Sequence, residues 1–425
     1  MIDLRELKER KDEIVTNIAN RGMNVDVDKI LLLQEQRNSL LKETETLRSK
    51  RNENATKMKG KIDVALRTSL IEEGKLIKDA ISEKEALLNE INSEYLKLAK
   101  LIPNYSHPDI PIGLLESDNK EIRRVGKIPN FSFKAKDHVE LGQQLDIVDF
   151  ETATRVTGPK FYYLKREAVL LELALQRYAL DTLAKKGFIL TITPDIAKQE
   201  ILEGIGFNPR GPESNIYNIE ESDTCLIGTA EITLGGYYSD TILNEQQLPI
   251  KLAGLSHCFR KEAGSAGQYS KGLYRVHQFT KVEMFVYALP SDSDKIHLEL
   301  LEIEEEIFRG LEIPYRVVDT CSGDLGAPAY RKYDIEAWMP GRGENGDWGE
   351  VTSTSNCTDY QARRLNSRYK DDEGKIKHVH MLNGTAIAVS RAIVAILENF
   401  QQADGSVKMP EILHPYLGFS EIHRL

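Results

Sequence analysis

Between Asp28 and Ile102 aliphatic residues recur at helical spacing in a charged background, with no proline and only Gly60 and Gly74 as glycines. Leu33, Leu40 and Leu47 lie seven apart. Leu70, Ile77, Ile91 and Leu98 share another seven-residue register, and Ile81, Leu88, Tyr95 and Ile102 a further one offset from it by four. Two registers offset by four are the a/d seam of a coiled coil. The segment from Arg51 to Lys61 is polar and carries Asn52, Asn54 and Gly60, so it reads as a turn. Two long helices joined by a turn form an antiparallel hairpin. Arms of about 30 to 40 residues would reach roughly 45 to 60 Å at 1.5 Å per residue, so the hairpin is expected to project.

Pro103, Pro108 and Pro111 end this stretch and mark a boundary. The expected units are a helical one over 1–105 and a larger one over 106–425. In the second, helical periodicity covers Tyr163 to Lys186, and strand-like runs cover Phe188 to Ile192, Leu252 to Cys258, Tyr274 to Val286 and Tyr315 to Val318. Strands without regular βαβ spacing predict an α+β fold, a mostly antiparallel sheet flanked by helices. Neither a G-x-G-x-x-G turn nor a G-x-x-x-x-G-K-[ST] loop is present, so any nucleotide is held by other means.

Composition narrows the class. The chain has 425 residues, 41% hydrophobic and 29% charged, which suits two soluble globular domains. Its four cysteines, Cys225, Cys258, Cys321 and Cys357, form no C-x-x-C pair, so neither a disulfide framework nor a zinc site is expected. The charged N-terminus and the lack of a long apolar run point to a cytoplasmic protein without a membrane span. Net charge is −10, so any contact with nucleic acid must be local. Arg48, Lys50, Arg51, Lys57, Lys59 and Lys61 cluster at the hairpin tip against Glu53 alone. They fit a phosphate-binding tip or a solvated helix end of mixed charge.

The stretch from Gly254 to Glu283 reads as strand, glycine-rich loop, strand. Alternate residues of a strand share a face. That rule places Arg260 with Glu262, and His277 with Phe279, Lys281 and Glu283. Tyr274, Val276, Val282, Met284 and Val286 on the other face read as core. Arginine suits a phosphate and phenylalanine a nucleobase, although a solvated hairpin with ion pairs would show the same pattern.

This stretch resembles motif 2 of the class II aminoacyl-tRNA synthetases, in the form found in seryl-tRNA synthetases of bacterial and organellar type. The match rests on Phe259-Arg-Lys-Glu-Ala-Gly264 and on Arg275-Val-His-Gln-Phe279. The resemblance implies that Arg260 contacts the ATP α-phosphate and the substrate carboxylate, Glu262 holds the adenine end, Phe279 stacks on adenine, and Glu283 binds serine. Lys261 and Val276 would complete this part of the ATP site. Gly228-Thr-Ala-Glu-Ile232 resembles the family's loop over the amino acid, with Thr229, Ala230 and Glu231 as serine-binding residues.

The segment from Trp348 to Arg364 resembles the strand that carries magnesium and ATP ligands. It implies Glu350 and Ser353 for Mg²⁺, and Glu350, Val351, Thr352 and Ser353 for ATP. Related enzymes often carry serine where this chain has Thr352, which keeps the hydroxyl. Leu382 to Gln401 resembles motif 3. There Val389, Ile393, Ile396, Leu397 and Phe400 make an apolar stripe interrupted by Arg391. On residue chemistry alone Arg391 fits a buried ion pair; the family implies a grip on the γ-phosphate, with Asn383 and Thr385 lining the serine pocket. Gly187 to Pro194 is a weaker match to motif 1, the dimerisation strand.

The implied activity is serine–tRNA ligation in two steps, with Arg260 and Arg391 as catalytic cations. ATP and Mg²⁺ are implied and zinc is not. The implied partners are serine, tRNA-Ser with tRNA-Sec as a further candidate, and a second copy in a homodimer. Two alternatives are an amino acid–carrier protein ligase, which would lack the arm, and an inactive nucleic-acid-binding paralogue, which would lack Arg260, Glu262, Glu350 or Arg391.

Overall fold

In a computed structural model the chain is described over residues 1–207, 215–262 and 271–424. It divides into two units, Met1–Pro103 and Asn104–Leu425.

The first unit is helical: α1 (Lys11–Asn20), α2 (Val27–Lys57) and α3 (Val64–Ala99), with α2 and α3 as an antiparallel hairpin. Asp26 caps α2 through Lys29 N at 2.9 Å, and Asp63 caps α3 through Ala65 N at 3.0 Å. The turn is shorter than its polarity suggests. Arg51 to Lys57 stay helical, because these residues tolerate a helix and no proline or glycine interrupts them before Gly60, whose φ is +101°. Leu33, Leu40, Leu70, Ile77, Ile81 and Tyr95 are buried along the seam, as their spacing predicts. The second register of α2 is Ile30, Arg37 and Thr44, two of them polar. Arg37 Nε donates to Asn92 Oδ1 at 2.8 Å, and Thr44 Oγ1 donates to the Leu40 carbonyl at 2.7 Å. Near the tip Asn54 is buried and donates to Glu73 Oε2 at 2.9 Å.

The second unit is built on one sheet. Its strands are β1 (Lys120–Val125), β2 (Ile189–Ile192), β3 (Ile250–Phe259), β4 (Gln278–Ala288), β5 (Tyr315–Asp319), β6 (Arg331–Met339), β7 (Asp347–Asn356) and β8 (His380–Ala388), in the order β1-β5-β6-β7-β8-β4-β3-β2. Every pairing is antiparallel except β2 on β3. The fold class is therefore the expected α+β arrangement.

Helices α4 (Glu167–Lys185), α6 (Ser293–Gly310) and α7 (Val389–Asn399) share one core with the sheet. Leu171 and Leu175 of α4, Ile307 and Phe308 of α6, and Ile393 and Ile396 of α7 meet Val282, Met284 and Val286 of β4 there. The short helix α5 (Ala230–Gly235) packs with Phe285 and Tyr287, which alternation assigns to the other face of β4. The Tyr287 hydroxyl reaches the Leu234 and Gly235 carbonyls at 2.6 and 2.9 Å. It thereby ties the end of α5 to the sheet.

Gly235 is small for a reason. A Cβ there would lie 2.2 Å from Ile205 Cδ1 and 3.1 Å from the Phe285 ring. Overpacking of this kind costs about 1 to 3 kcal/mol. Gly235→Ala should lower stability by roughly that amount in chemical denaturation, and an unchanged midpoint would refute the packing argument.

Candidate active site

The face of β4 that carries Phe279, Lys281 and Glu283 lines a cavity of about 150 Å³. Lys281 and Glu283 are 5% and 2% exposed and form an ion pair. Thr385 on β8, the register partner of Glu283, donates its hydroxyl to Glu283 Oε2 at 3.2 Å and lies 3.3 Å from Lys281 Nζ. A buried cation and carboxylate thus hold one another beside an oriented hydroxyl.

The loop before α5 supplies one wall. Thr229 caps α5, its Oγ1 accepting from Glu231 N at 3.2 Å. Glu231 Oε1 accepts from Gln361 Nε2 at 2.8 Å and from Asn383 Nδ2 at 3.0 Å. Burial pushes the Glu231 carboxyl up to about 7, and the charge of Glu283 adds to the rise. Ala230 is fully buried and lies outside the cavity lining.

Arg260 and Glu262 do not share a strand face, contrary to strand alternation. The β3–β4 ladder ends at the pair Phe259↔Gln278, and Glu262 has φ +48°. Both still line the cavity. Arg260 Nε donates to the Gly228 carbonyl at 3.1 Å, and its guanidinium lies 5.3 Å from the Phe279 ring centroid. Glu262 pairs with Arg275 at 3.1 Å. Lys261 is exposed and outside the lining, with Nζ 5.7 Å from the Tyr217 ring. Ala263 and Gly264 lie outside the described residues.

Residues 274 to 277 are not strand either, so Tyr274 packs, partly buried, against the main core from outside the strand. Its ring lies 4.8 Å from the guanidinium of Arg391 and 5.1 Å from that of Arg342. Its hydroxyl donates to the Glu350 carbonyl at 3.0 Å. His277 turns from the cavity toward Phe161, while Val276 lines the edge.

Glu350 and Ser353 are three apart, which in a regular strand would set them on opposite faces. The β6–β7 register shifts between Thr352 and Glu350, so Val351 is an extra residue in a β-bulge. The bulge restores both side chains to one face, and both line the cavity. Arg391 on α7 pairs with Glu350 Oε1 at 3.2 Å. Burial acts to raise the Glu350 carboxyl, but Arg391, Lys332, Arg260 and Arg275 outweigh it and hold it below its usual value. Asn383, Thr385, Val351 and Thr352 complete the expected set around the cavity.

Tyr274, Lys281, Arg275 and Gln361 belong to this arrangement without a role assigned from sequence. Alternation marked Lys281; nothing in the sequence distinguished Tyr274 from a core aromatic. A larger cleft of about 730 Å³ shares Phe279 but has no lysine or arginine among the described residues of its lining, so of these two the smaller cavity is suited to an anionic ligand. In the helical unit Arg48 pairs with Glu85 at 2.8 Å, whereas Lys50, Arg51, Lys57, Lys59 and Lys61 are exposed. Strand β2 is a sheet edge, and its Ile192 is 85% exposed.

Residues 1–106 match the seryl-tRNA synthetase N-terminal domain, and residues 216–400 match the tRNA synthetase class II core domain (G, H, P, S and T). The chain is 59% identical to a serine–tRNA ligase of Treponema denticola over 99% of this chain and 100% of that one. It is 58% identical to a serine–tRNA ligase of Borrelia recurrentis over 99% of each. Its fold superposes on the crystal structure of seryl-tRNA synthetase from Pyrococcus horikoshii complexed with ATP with a TM-score of 0.90, at 41% identity and full coverage of both chains. The chain belongs to the seryl-tRNA synthetase family and carries a class II core.

Proposed function

We propose that this protein is a serine–tRNA ligase that activates serine with ATP and transfers it to the 3′ end of tRNA. The observation that carries this reading is the convergence of Arg260, Phe279, Glu283, Glu350, Ser353 and Arg391 on one cavity. Two guanidiniums suit the ATP phosphates, a phenyl face suits adenine, and the Glu283–Thr385 pair suits a small hydroxyl-bearing amino acid. The relative solved with ATP supports the nucleotide assignment. In the first step the serine carboxylate attacks the α-phosphate, the bond to the leaving pyrophosphate breaks, and seryl-adenylate forms. Charge neutralisation and positioning by Arg260 and Arg391 serve this step without a general base. In the second, the terminal ribose hydroxyl of tRNA attacks the adenylate carbonyl and releases AMP.

Glu350 and Ser353 fit Mg²⁺, since an ionised carboxylate and a hydroxyl on one face give two oxygen donors to a hard cation that takes the rest from phosphates and water. When bound, the ion would offset phosphate charge. A site that pairs with the serine hydroxyl rejects alanine by leaving its own polar groups unmatched. The exposed lysines at the hairpin tip suit the phosphates of tRNA-Ser, and tRNA-Sec would present the same chemistry. The apolar edge strand β2 suits a second copy in a homodimer, and the enzyme would work in the cytoplasm with the translation machinery.

Arg260→Ala should reduce serine-dependent ATP–pyrophosphate exchange by about 10²-fold or more; near-normal exchange would refute the role of Arg260. Replacing Lys57, Lys59 and Lys61 together by Glu should leave that exchange intact and lower tRNA charging by about tenfold or more at moderate salt. Equal charging by this variant and the parent would remove the tip from the acceptor site. The serine ammonium favours ionised Glu231, whose carboxyl protonates as pH falls through about 7. kcat/KM for serine should therefore drop toward pH 6, by up to about tenfold per pH unit, and the drop should flatten in Glu231→Gln. A profile identical in the two proteins would exclude Glu231 as its source.

A further inference from the structure

Behind the serine pocket, on the α6 side of the sheet, sits a carboxyl group with no assigned role. Glu304 of α6 has no exposed surface, and neither of its carboxyl oxygens has a hydrogen-bond partner of ordinary geometry among the described residues. It reaches the sheet because residue 384 is glycine. A Cβ there would lie 2.9 Å from Glu304 Oε1, 3.0 Å from Thr354 Oγ1 and 3.1 Å from Met284 Cε. Gly384 stands between Asn383 and Thr385, whose side chains face the cavity. Glu304 thus presses on the underside of the strand segment that forms the pocket floor.

The polar group beside it is the Thr352 hydroxyl. Thr352 donates its single hydroxyl hydrogen to the Thr385 carbonyl. Toward Glu304 that oxygen can then only accept. A carboxylate has nothing to donate, whereas a carboxylic acid has one hydrogen. An ionised carboxylate here would also be a buried charge with no salt bridge among the described residues, and the more distant Lys281 does not outweigh that burial. Burial first, then the charges of Glu283 and Asp334, hold the Glu304 carboxyl well above the usual carboxylate range.

We propose that Glu304 is a positioning residue for the serine pocket: as a neutral acid it donates to Thr352, which holds the Thr385 carbonyl and so fixes the hydroxyl that Thr385 presents to Glu283. The bonds from Thr352 to the Thr385 carbonyl and from the Thr385 hydroxyl to Glu283 are in place, and a donation from Glu304 would extend them from the helix side of the sheet to its substrate side. This inference rests on the serine-pocket reading above.

The test compares Glu304→Gln and Glu304→Leu in ATP–pyrophosphate exchange with the full chain, measuring serine KM and ATP KM separately. Glutamine keeps a neutral donor, so E304Q should stay close to the parent. Leucine removes it, so E304L should raise serine KM by about tenfold, the worth of one hydrogen bond, with ATP KM changed less than about twofold. If E304L does not fold, Glu304→Met takes its place as the donor-free variant, an unbranched side chain closer to glutamate in shape. An unchanged serine KM in the donor-free variant would overturn the proposal. So would equal effects on both substrates, or E304Q as impaired as E304L. Absence of serine-dependent exchange in the unmutated chain would instead sink the pocket assignment and this inference with it.

Discussion

The site depends on one constraint: β4 must be apolar on one face and ionic on the other, while paired on both edges. Val282, Met284 and Val286 lie in the main core with α4, α6 and α7, and Phe279, Lys281 and Glu283 alternate with them toward the cavity. Pairing with β3 on one side and β8 on the other fixes that alternation, because a one-residue slip would exchange the two faces. The buried Lys281–Glu283 pair is tolerated because the adjoining ladder brings Thr385 to it. The polar face is held by the same register that builds the core.

Charge in the cavity is balanced locally. Arg391 is half-buried and paired with Glu350, so the ion pair expected of a lone arginine in an apolar helix and a phosphate-binding role are not rival accounts. A ligand phosphate would enter a field already set by Arg260, Arg275 and Arg391 against Glu262 and Glu350. Acidic and neutral carboxyls are sorted by environment. Cations hold Glu350 below its usual value, while burial and a like charge lift Glu231.

Much of this was legible in the sequence, for identifiable reasons. Period-seven spacing marked the seam of α2 and α3, but only its aliphatic half, since Arg37 and Thr44 occupy seam positions without an apolar signature. Strand alternation sorted β4 correctly from Phe279 onward. It failed beyond the last ladder pair, Phe259 with Gln278, and so put Tyr274 on a strand and misjudged the relation of Arg260 to Glu262. The polar stretch from Arg51 to Lys57 looked like a turn because composition reports solvent exposure as readily as chain reversal. Family resemblance named Glu350 and Ser353 as a pair, yet their spacing alone would have separated them.

That last pair shows how much hangs on a single inserted residue. Val351 shifts the phase of β7, and Ala386 does the same in β8, where the register with β4 slips between Thr385 and Ile387. Each works as a half-period offset, converting an odd spacing into a common direction. Side-chain identity at these two points therefore matters less than residue count. A lineage could exchange Val351 for another apolar residue with little consequence, but losing one residue from either strand would turn half its side chains through the sheet. The reading frame of the site, in this sense, is set by length.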